Sequence, residues 1–305
     1  MTPKESYLHY CAKAIDLPLF FQPAWLDLSG LSWHVLLTHD ALRQSVFFVY
    51  TIEKKMGFRF IRNPHFTPYT GLLLSSDADP ESARHLTSFI DELPPVDVLE
   101  LDLLPAVANT SLPASFHTSL RRTNILALQA GATQLYQAFK PALKRQIRKA
   151  EASLKVSETS EINRLYKLYK KTFQKQSLQP TIPLEVFLRY AKASFQMQCA
   201  KIYLIQDADG RDHAGIWVVW DNQRMYYLCG GSDPAFYGSG AMPYALWVAI
   251  QLAIDKRLEV FDFEGSMLAG VNRFFQNYSP EEKSYVHISC IRSTLYRWWK
   301  NLKQV

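Results

Sequence analysis

Phe261-Asp262-Phe263-Glu264-Gly265-Ser266, followed by Gly270-Val271-Asn272-Arg273-Phe274-Phe275, is the stretch whose reading decides the fold. Immediately before it lie a Gly238-Ser239-Gly240 turn and a long apolar run over 241–254. The order is therefore a glycine turn, a helix over 241–257, and a strand over 258–265 that ends on acidic and hydroxyl side chains. Alternation along Val260-Phe261-Asp262-Phe263-Glu264 puts Asp262 and Glu264 on one face and Phe261 and Phe263 on the other. Two acids on one face of a central strand are costly unless they meet water, a partner or a substrate. Either could take a proton from an attacking amine if burial and its neighbour raise its pKa. The plainer alternative for each is an N-cap, or an ion pair with Arg273 or Lys256.

Working outward, 200–206 and 214–220 flank the turn Asp207-Ala208-Asp209-Gly210-Arg211 as a hairpin, and 224–229 continues as a strand. Upstream, strands are predicted within 33–37, 45–51, 58–61 and 71–74, with a helix over 80–93 stopped by Pro94-Pro95. Val98-Leu99-Glu100-Leu101-Asp102 then aligns with Val260-Phe261-Asp262-Phe263-Glu264, acid on acid and apolar on apolar. The order of elements around both segments matches as well, which predicts two related α/β domains. The division falls near 131–141, giving domains over 1–135 and 136–305. Between the two sheets, 136–153 and 161–177 read as helices, the second with an apolar stripe of Ile162, Tyr166, Tyr169 and Phe173. The tail 293–302 reads as a short amphipathic helix that packs back through Leu295, Trp298 and Trp299.

A chain of 305 residues suits two domains of ordinary size, and an apolar fraction of 48% supplies substantial cores. The four cysteines lie far apart and the eight histidines are scattered without an HExxH. A disulfide framework and a catalytic metal are therefore not expected. The first residues are polar and include an acid, unlike a signal peptide. The run over 241–254 falls short of the roughly 20 residues of a membrane span. The reading is a cytoplasmic protein with no covalently bound cofactor and no stable protein partner.

Two features could hold an anionic ligand. Gly238, Ser239 and Gly240 precede a helix whose first turn contains Pro243, so free N–H groups and the positive helix end could cradle a phosphate. A plain loop and helix cap is the competing reading. Lys140, Lys144 and Arg148 fall at i, i+4 and i+8, with Arg145 and Lys149 beside them. That stripe is either a solvated face or a landing strip for a phosphate-bearing donor. Tyr226, Tyr227 and Gly230-Gly231 sit at the end of a central strand, where backbone N–H groups could polarise an acyl carbonyl. Core packing is the alternative for either tyrosine. Gly230-Gly231-Ser232-Asp233-Pro234 misses the G-x-S-x-G elbow at its fifth position, which excludes a serine hydrolase.

FDFEGSM followed by GVNRFFQNYS resembles the C-terminal signature of the FemAB-like branch of the GNAT superfamily. The segment from Arg59 through Asn63-Pro64 to Pro68-Tyr69-Thr70-Gly71 resembles that branch's first-domain motif. Lys144-Arg145-Gln146-Ile147-Arg148-Lys149 resembles its basic interdomain helix. The resemblance implies an α/β fold of two tandem GNAT-like domains with a cleft between them. It also implies transfer of an acyl or aminoacyl group from acyl-CoA or aminoacyl-tRNA to an amine, without a covalent enzyme intermediate. In that reading Glu264 or Asp262 accepts the proton, and Ser266, Arg273, Tyr69 and Tyr227 bind the acceptor. Lys144, Arg145 and Arg148 then attract donor phosphates, and Gly238, Ser239 and Gly240 meet the co-substrate. Two positions depart from the family pattern: Phe275 stands where the branch has lysine, and Ala235 stands where a coenzyme A loop has Gln or Arg. Both favour the alternative function, a GNAT scaffold that only binds a nucleotide, peptide or RNA.

Overall fold

The computed structural model describes residues 1–40, 43–73, 82–104, 114–175, 182–265 and 267–302. The chain forms two compact units, Met1–Arg122 with Lys283–Val305, and Thr123–Glu282. The first unit is built from α1 (Pro3–Lys13), α2 (Pro23–Asp27), β1 (Ser32–His39), β2 (Ser45–Lys55), β3 (Phe58–Arg62), β4 (Gly71–Leu73), α3 (Ser82–Glu92), β5 (Val98–Asp102) and the start of β6 (His117–Ala127). The second continues from β6 through α4 (Gly131–Ala138), α5 (Pro141–Ser153), β7 (Lys155–Thr159), α6 (Ile162–Lys175), α7 (Leu184–Gln196), β8 (Ala200–Gln206), β9 (Asp212–Trp220), β10 (Arg224–Ser232), α8 (Ala241–Asp255), β11 (Val260–Asp262) and α9 (Ala269–Phe275). The chain then runs through β12 (Glu281–Ile291) and α10 (Thr294–Leu302).

In the first unit β1, β2 and β3 pair antiparallel, β5 joins β3 in parallel, and β12 joins β5 antiparallel from His287↔Asp102 to Ile291↔Val98. This pairing explains why 283–305 groups with the first unit rather than with the second, as the division at 135/136 had it. The partner strands lie far apart in sequence, and no local pattern announces their meeting. Leu86, Phe89 and Ile90 of α3 pack with Phe48, Leu72, Leu99, Leu101 and Ile288 into one core.

In the second unit the sheet runs β6-β11-β10-β9-β8-β7, antiparallel throughout except for the parallel β10/β11 pair. The parallel pairs β3/β5 and β10/β11 contain the two segments matched in the sequence. Ile205, Ile216, Val218 and Met225 pack under Leu143 and Ile147 of α5 and Leu246 and Ile250 of α8. On the other face the Phe187 ring of α7 lies 5.4 Å from that of Trp217, and Leu165 and Leu168 of α6 reach Gly215. A strand covered on both faces reads as a continuous apolar run, which is how Gly215-Ile216-Trp217-Val218-Val219 reads.

The structure departs from the local expectations at two places that matter for the site. The helix expected over 136–153 is two helices, α4 and α5. Pro141 disfavours helical geometry at Lys140, whose ψ is 145°. The strand expected to reach Glu264 ends at Asp262, and Glu264 adopts a left-handed φ of 49°. Alternation therefore does not carry Glu264 onto the face of Asp262; a turn brings it there. The tail helix packs through Tyr296 and Trp299, whereas Leu295 and Trp298, expected to pack, are exposed.

Gly231 is where α6 crosses β10. A Cβ there would overlap the backbone of Leu168 and Tyr169, which cannot swing aside as a side chain can. Gly231→Ala is expected to cost about 3 kcal/mol of stability by overpacking, read as a fall in melting temperature. An unchanged melting temperature would show that α6 can slide.

Candidate active site

The site is set by a mismatch of strand lengths. β10 pairs with β11 only from Arg224↔Val260 to Tyr226↔Asp262, yet continues against β9 as far as Ser232↔Ala214. Beyond Tyr226 its far edge has no strand partner among the described residues, and a register shift between Tyr227 and Cys229 bends it there. The Asp233 N–H donates to His213 O on the β9 side, whereas the Ser232 N–H turns the other way to Thr172 Oγ1. By the same alternation the Gly230 N–H faces away from β9, into the opened edge.

The acids close this opening. Asp262 has no solvent exposure and accepts from the Thr123 hydroxyl at 2.6 Å, from Arg224 at 3.2 Å and from the Glu264 backbone N–H at 2.8 Å. The Gly265 N–H donates to Thr123 Oγ1 at 3.0 Å, so Thr123 and Asp262 together wind the turn that carries Glu264. Oε1 of Glu264 is buried and has no hydrogen-bond partner among the described residues. Burial, and secondarily the Asp262 charge, push the Glu264 carboxyl well above the usual carboxylate range. Burial also raises Asp262, but Arg224, the Thr123 hydroxyl and the Glu264 N–H all favour its anion. The environments differ: Asp262 has three donors that favour its charged form, whereas Glu264 has burial and a neighbouring acid that both favour its protonated form. The partner of Asp262 is Arg224, not Arg273 or Lys256. Arg273 is exposed, and Lys256 lies over the Trp220 ring at 4.3 Å.

Tyr227 and Cys229 line the same place. Burial raises the Tyr227 hydroxyl, with the charges of Cys229 and Glu264 adding to it, and burial followed by Glu264 raises the Cys229 thiol. The Tyr227 hydroxyl lies 2.5 Å from where a Cβ on Gly230 would sit. Phe275 takes the position opposite: its ring lies 6.0 Å from Tyr227 and 5.1 Å from Phe263, and it is buried. The helix behind it is held by a buried amide. Asn124 donates to Asn272 Oδ1 at 2.7 Å, accepts from Gln276 Nε2 at 2.6 Å, and its carbonyl takes the Phe263 N–H at 2.9 Å. Asn272 and Gln276 are thus the working polar residues of GVNRFFQ.

The glycine turn and the basic helix meet. Lys149 Nζ donates to Gly238 O at 2.8 Å, and the Gln146 carbonyl fills the space a Cβ on Gly240 would need. Gly240, at φ 80°, is a glycine because α5 presses on it. Around Gly238 the space is open, and the Ser239 hydroxyl accepts from the Ala241 N–H at 3.3 Å. Of the basic stripe, Arg145 and Arg148 are exposed, while Lys144 donates to the Gln137 carbonyl at 2.9 Å. Tyr69 belongs to the first unit, buried with its ring 5.1 Å from Tyr285. Ser266 lies outside the described residues. Among the described residues no group of three or more His, Cys, Asp or Glu could hold a metal ion.

Thr123, Asn124 and Arg224 were missed in the sequence. The first two lie on β6, which mixes polar and basic residues without alternation, and Arg224 reads only as a strand start. The available signal was the neighbouring Thr123-Asn124 pair before the apolar Ile125-Leu126.

Residues 137–276 match the acetyltransferase (GNAT) domain family. FemX has the same fold as the whole chain, with a TM-score of 0.68 and 12% identity over 98% of both chains. L-PGS from Bacillus licheniformis aligns with a TM-score of 0.54 and 10% identity over 96% of this chain and 93% of its own. A tandem GNAT protein from the clavulanic acid biosynthesis pathway aligns with a TM-score of 0.52 and 10% identity over 94% and 95%. No curated protein sequence matches the chain.

Proposed function

We propose that this chain, which carries a GNAT acetyltransferase domain over residues 137–276, is an N-acyltransferase of the FemAB-like branch. It moves an acyl or aminoacyl group from an activated donor, acyl-CoA or aminoacyl-tRNA, directly to an amine. The observation that carries this reading is the unpartnered Oε1 of Glu264 beside the opened edge of β10. In a fold shared with FemX and a tandem GNAT protein, that edge is a natural place for a reacting carbonyl.

In the proposed mechanism the Gly230 N–H donates to the carbonyl oxygen of the donor as charge builds on it. The acceptor amine attacks the carbonyl carbon, and Glu264 in its ionised form takes the proton the amine loses. The donor's thiolate or alkoxide leaves as the carbon–sulfur or carbon–oxygen bond breaks, and receives that proton. Asp262, sealed from solvent, positions Glu264 through its backbone N–H; burial, with the Asp262 charge adding to it, raises the Glu264 carboxyl. Tyr227 borders the reacting group, and Phe275 supplies an apolar wall instead of a lysine cation. Arg145 and Arg148, exposed on α5 beside the glycine turn, attract donor phosphates.

The test is amide formation followed by mass spectrometry, with CoA thioesters and aminoacyl-tRNA offered separately to a panel of amines. Product with either donor supports the reading; tight binding without product with both supports the scaffold alternative. Arg145→Glu with Arg148→Glu is expected to raise KM for the productive donor by on the order of tenfold, with kcat little changed. An unchanged KM would return the stripe to a solvated face.

A further inference from the structure

We infer that the outer face of α10 in the first unit is a peripheral docking surface for an anionic lipid bilayer. The inference is independent of the acyl-transfer reading. α10 has two apolar sides. Tyr296 and Trp299 face inward, with the Tyr296 ring 5.0 Å from Phe58 and 5.5 Å from Phe60, and the Trp299 ring 5.7 Å from Phe58. Leu295, Trp298 and Leu302 recur at i, i+3 and i+7 and stand in solvent, at 62%, 62% and 57% exposure. A helix on a globular protein ordinarily buries its one apolar stripe and leaves a polar face outside. Here a second stripe, headed by tryptophan, faces out. Met56, 61% exposed, lies at the tip of the β2–β3 hairpin, two residues before the Phe58 on which Trp299 packs.

Charge complementarity identifies the occupant. Arg292, Arg297 and Lys300 of the helix segment and Lys54 and Lys55 of the hairpin are all exposed. Residues 292–302 contain no acid. The acids on the neighbouring strands are engaged: Glu53 with Arg62 at 2.6 Å, and Asp97 with the Arg59 N–H at 2.7 Å. Glu100, two residues beyond Val98 on β5, faces His287 at 3.9 Å. Tryptophan and leucine flanked by Lys and Arg make up a helix that lies in the plane of a membrane surface, with its rings at headgroup level. Cations around the patch add attraction to an anionic leaflet. No helix among the described residues is long and apolar enough to cross a membrane, so the attachment is surface-bound.

Sedimentation of the full chain with phosphatidylcholine vesicles, with and without phosphatidylglycerol, tests the proposal. Binding is expected to the phosphatidylglycerol vesicles and to weaken as salt rises. Trp298→Ser with Leu302→Ser should lower partitioning by more than about tenfold, because two side chains that enter the interface are removed. Both positions are exposed, so the melting temperature should not move. Arg297→Glu with Lys300→Glu should abolish the preference for phosphatidylglycerol. Failure to bind phosphatidylglycerol vesicles at low salt overturns the proposal. So does unchanged partitioning of the Trp298/Leu302 variant, which would mean that the net charge of +6 alone holds the chain to lipid. Self-association that this variant abolishes, with vesicles ignored, would make the face a protein contact and overturn it too.

Discussion

Glu264→Gln is expected to lower kcat by on the order of a hundredfold or more, with KM little changed, since a positioned base contributes that much to a proton transfer. The substitution keeps the shape of a side chain whose Oε1 has no partner among the described residues, so the fold should survive it. The pH profile gives the second signature. Wild-type kcat/KM should rise with pH through the pKa of Glu264, and that limb should lie above the ordinary carboxylate range because burial and Asp262 hold the proton on. Stability moves in the opposite direction. The folded pKa of Glu264 exceeds its ordinary value of 4.5, so between those two pH values the native state binds more protons than the unfolded chain. The contribution of the protonated group is complete below 4.5 and is lost as pH rises, at about 1.4 kcal/mol per pH unit until the folded pKa is passed. Denaturant titrations of wild type and Glu264→Gln should therefore diverge with rising pH, the variant becoming relatively more stable. Unchanged turnover across pH would remove Glu264 from the chemistry.

Asp262→Ala should cost about 3 kcal/mol of stability, at the lower end for a broken buried pair because Arg224 keeps 30% exposure. It removes the acceptor shared by the Thr123 hydroxyl, the Arg224 guanidinium and the Glu264 N–H, and with it the support of the turn that presents Glu264. Asp262→Asn separates charge from shape. The turn can still form, but the anion that raises Glu264 is gone, so the rising limb of kcat/KM should move to lower pH. A limb that stays in place would mean burial alone sets Glu264 and that Asp262 is only structural. Urea unfolding and a pH–rate series on the two variants distinguish these cases.

Much of the second unit could be read from local pattern. The apolar runs of β8, β9 and α8 and the turn at 207–211 have the lengths and periods that strands, helices and hairpins require. The strand-end acids and the glycine turn were visible as motifs. What local pattern misjudged was direction. Alternation extended β11 to Glu264 and so explained the pairing of the acids by the wrong geometry; the Thr123–Asp262 hydrogen bonds, between residues distant in sequence, end the strand and wind the turn instead. A capping box was legible and overlooked: Thr2 and Glu5 bond reciprocally around Pro3 to start α1, in a segment read only as polar.

By itself the amino-acid order determined many of the strands and helices, among them β8, β9 and α8, because those depend on periodicity and on glycine and proline within a few residues. It also showed two acids at a strand end and a glycine turn before a helix as motifs. Only the tertiary structure decided that Asp262 has donors favouring its charge while burial and a neighbouring acid favour the protonated form of Glu264, that Gly231 and Gly240 serve close helix crossings, and that residues 283–305 return to the first unit. Those outcomes depend on burial and on partners far along the chain, and neither is encoded in any local window.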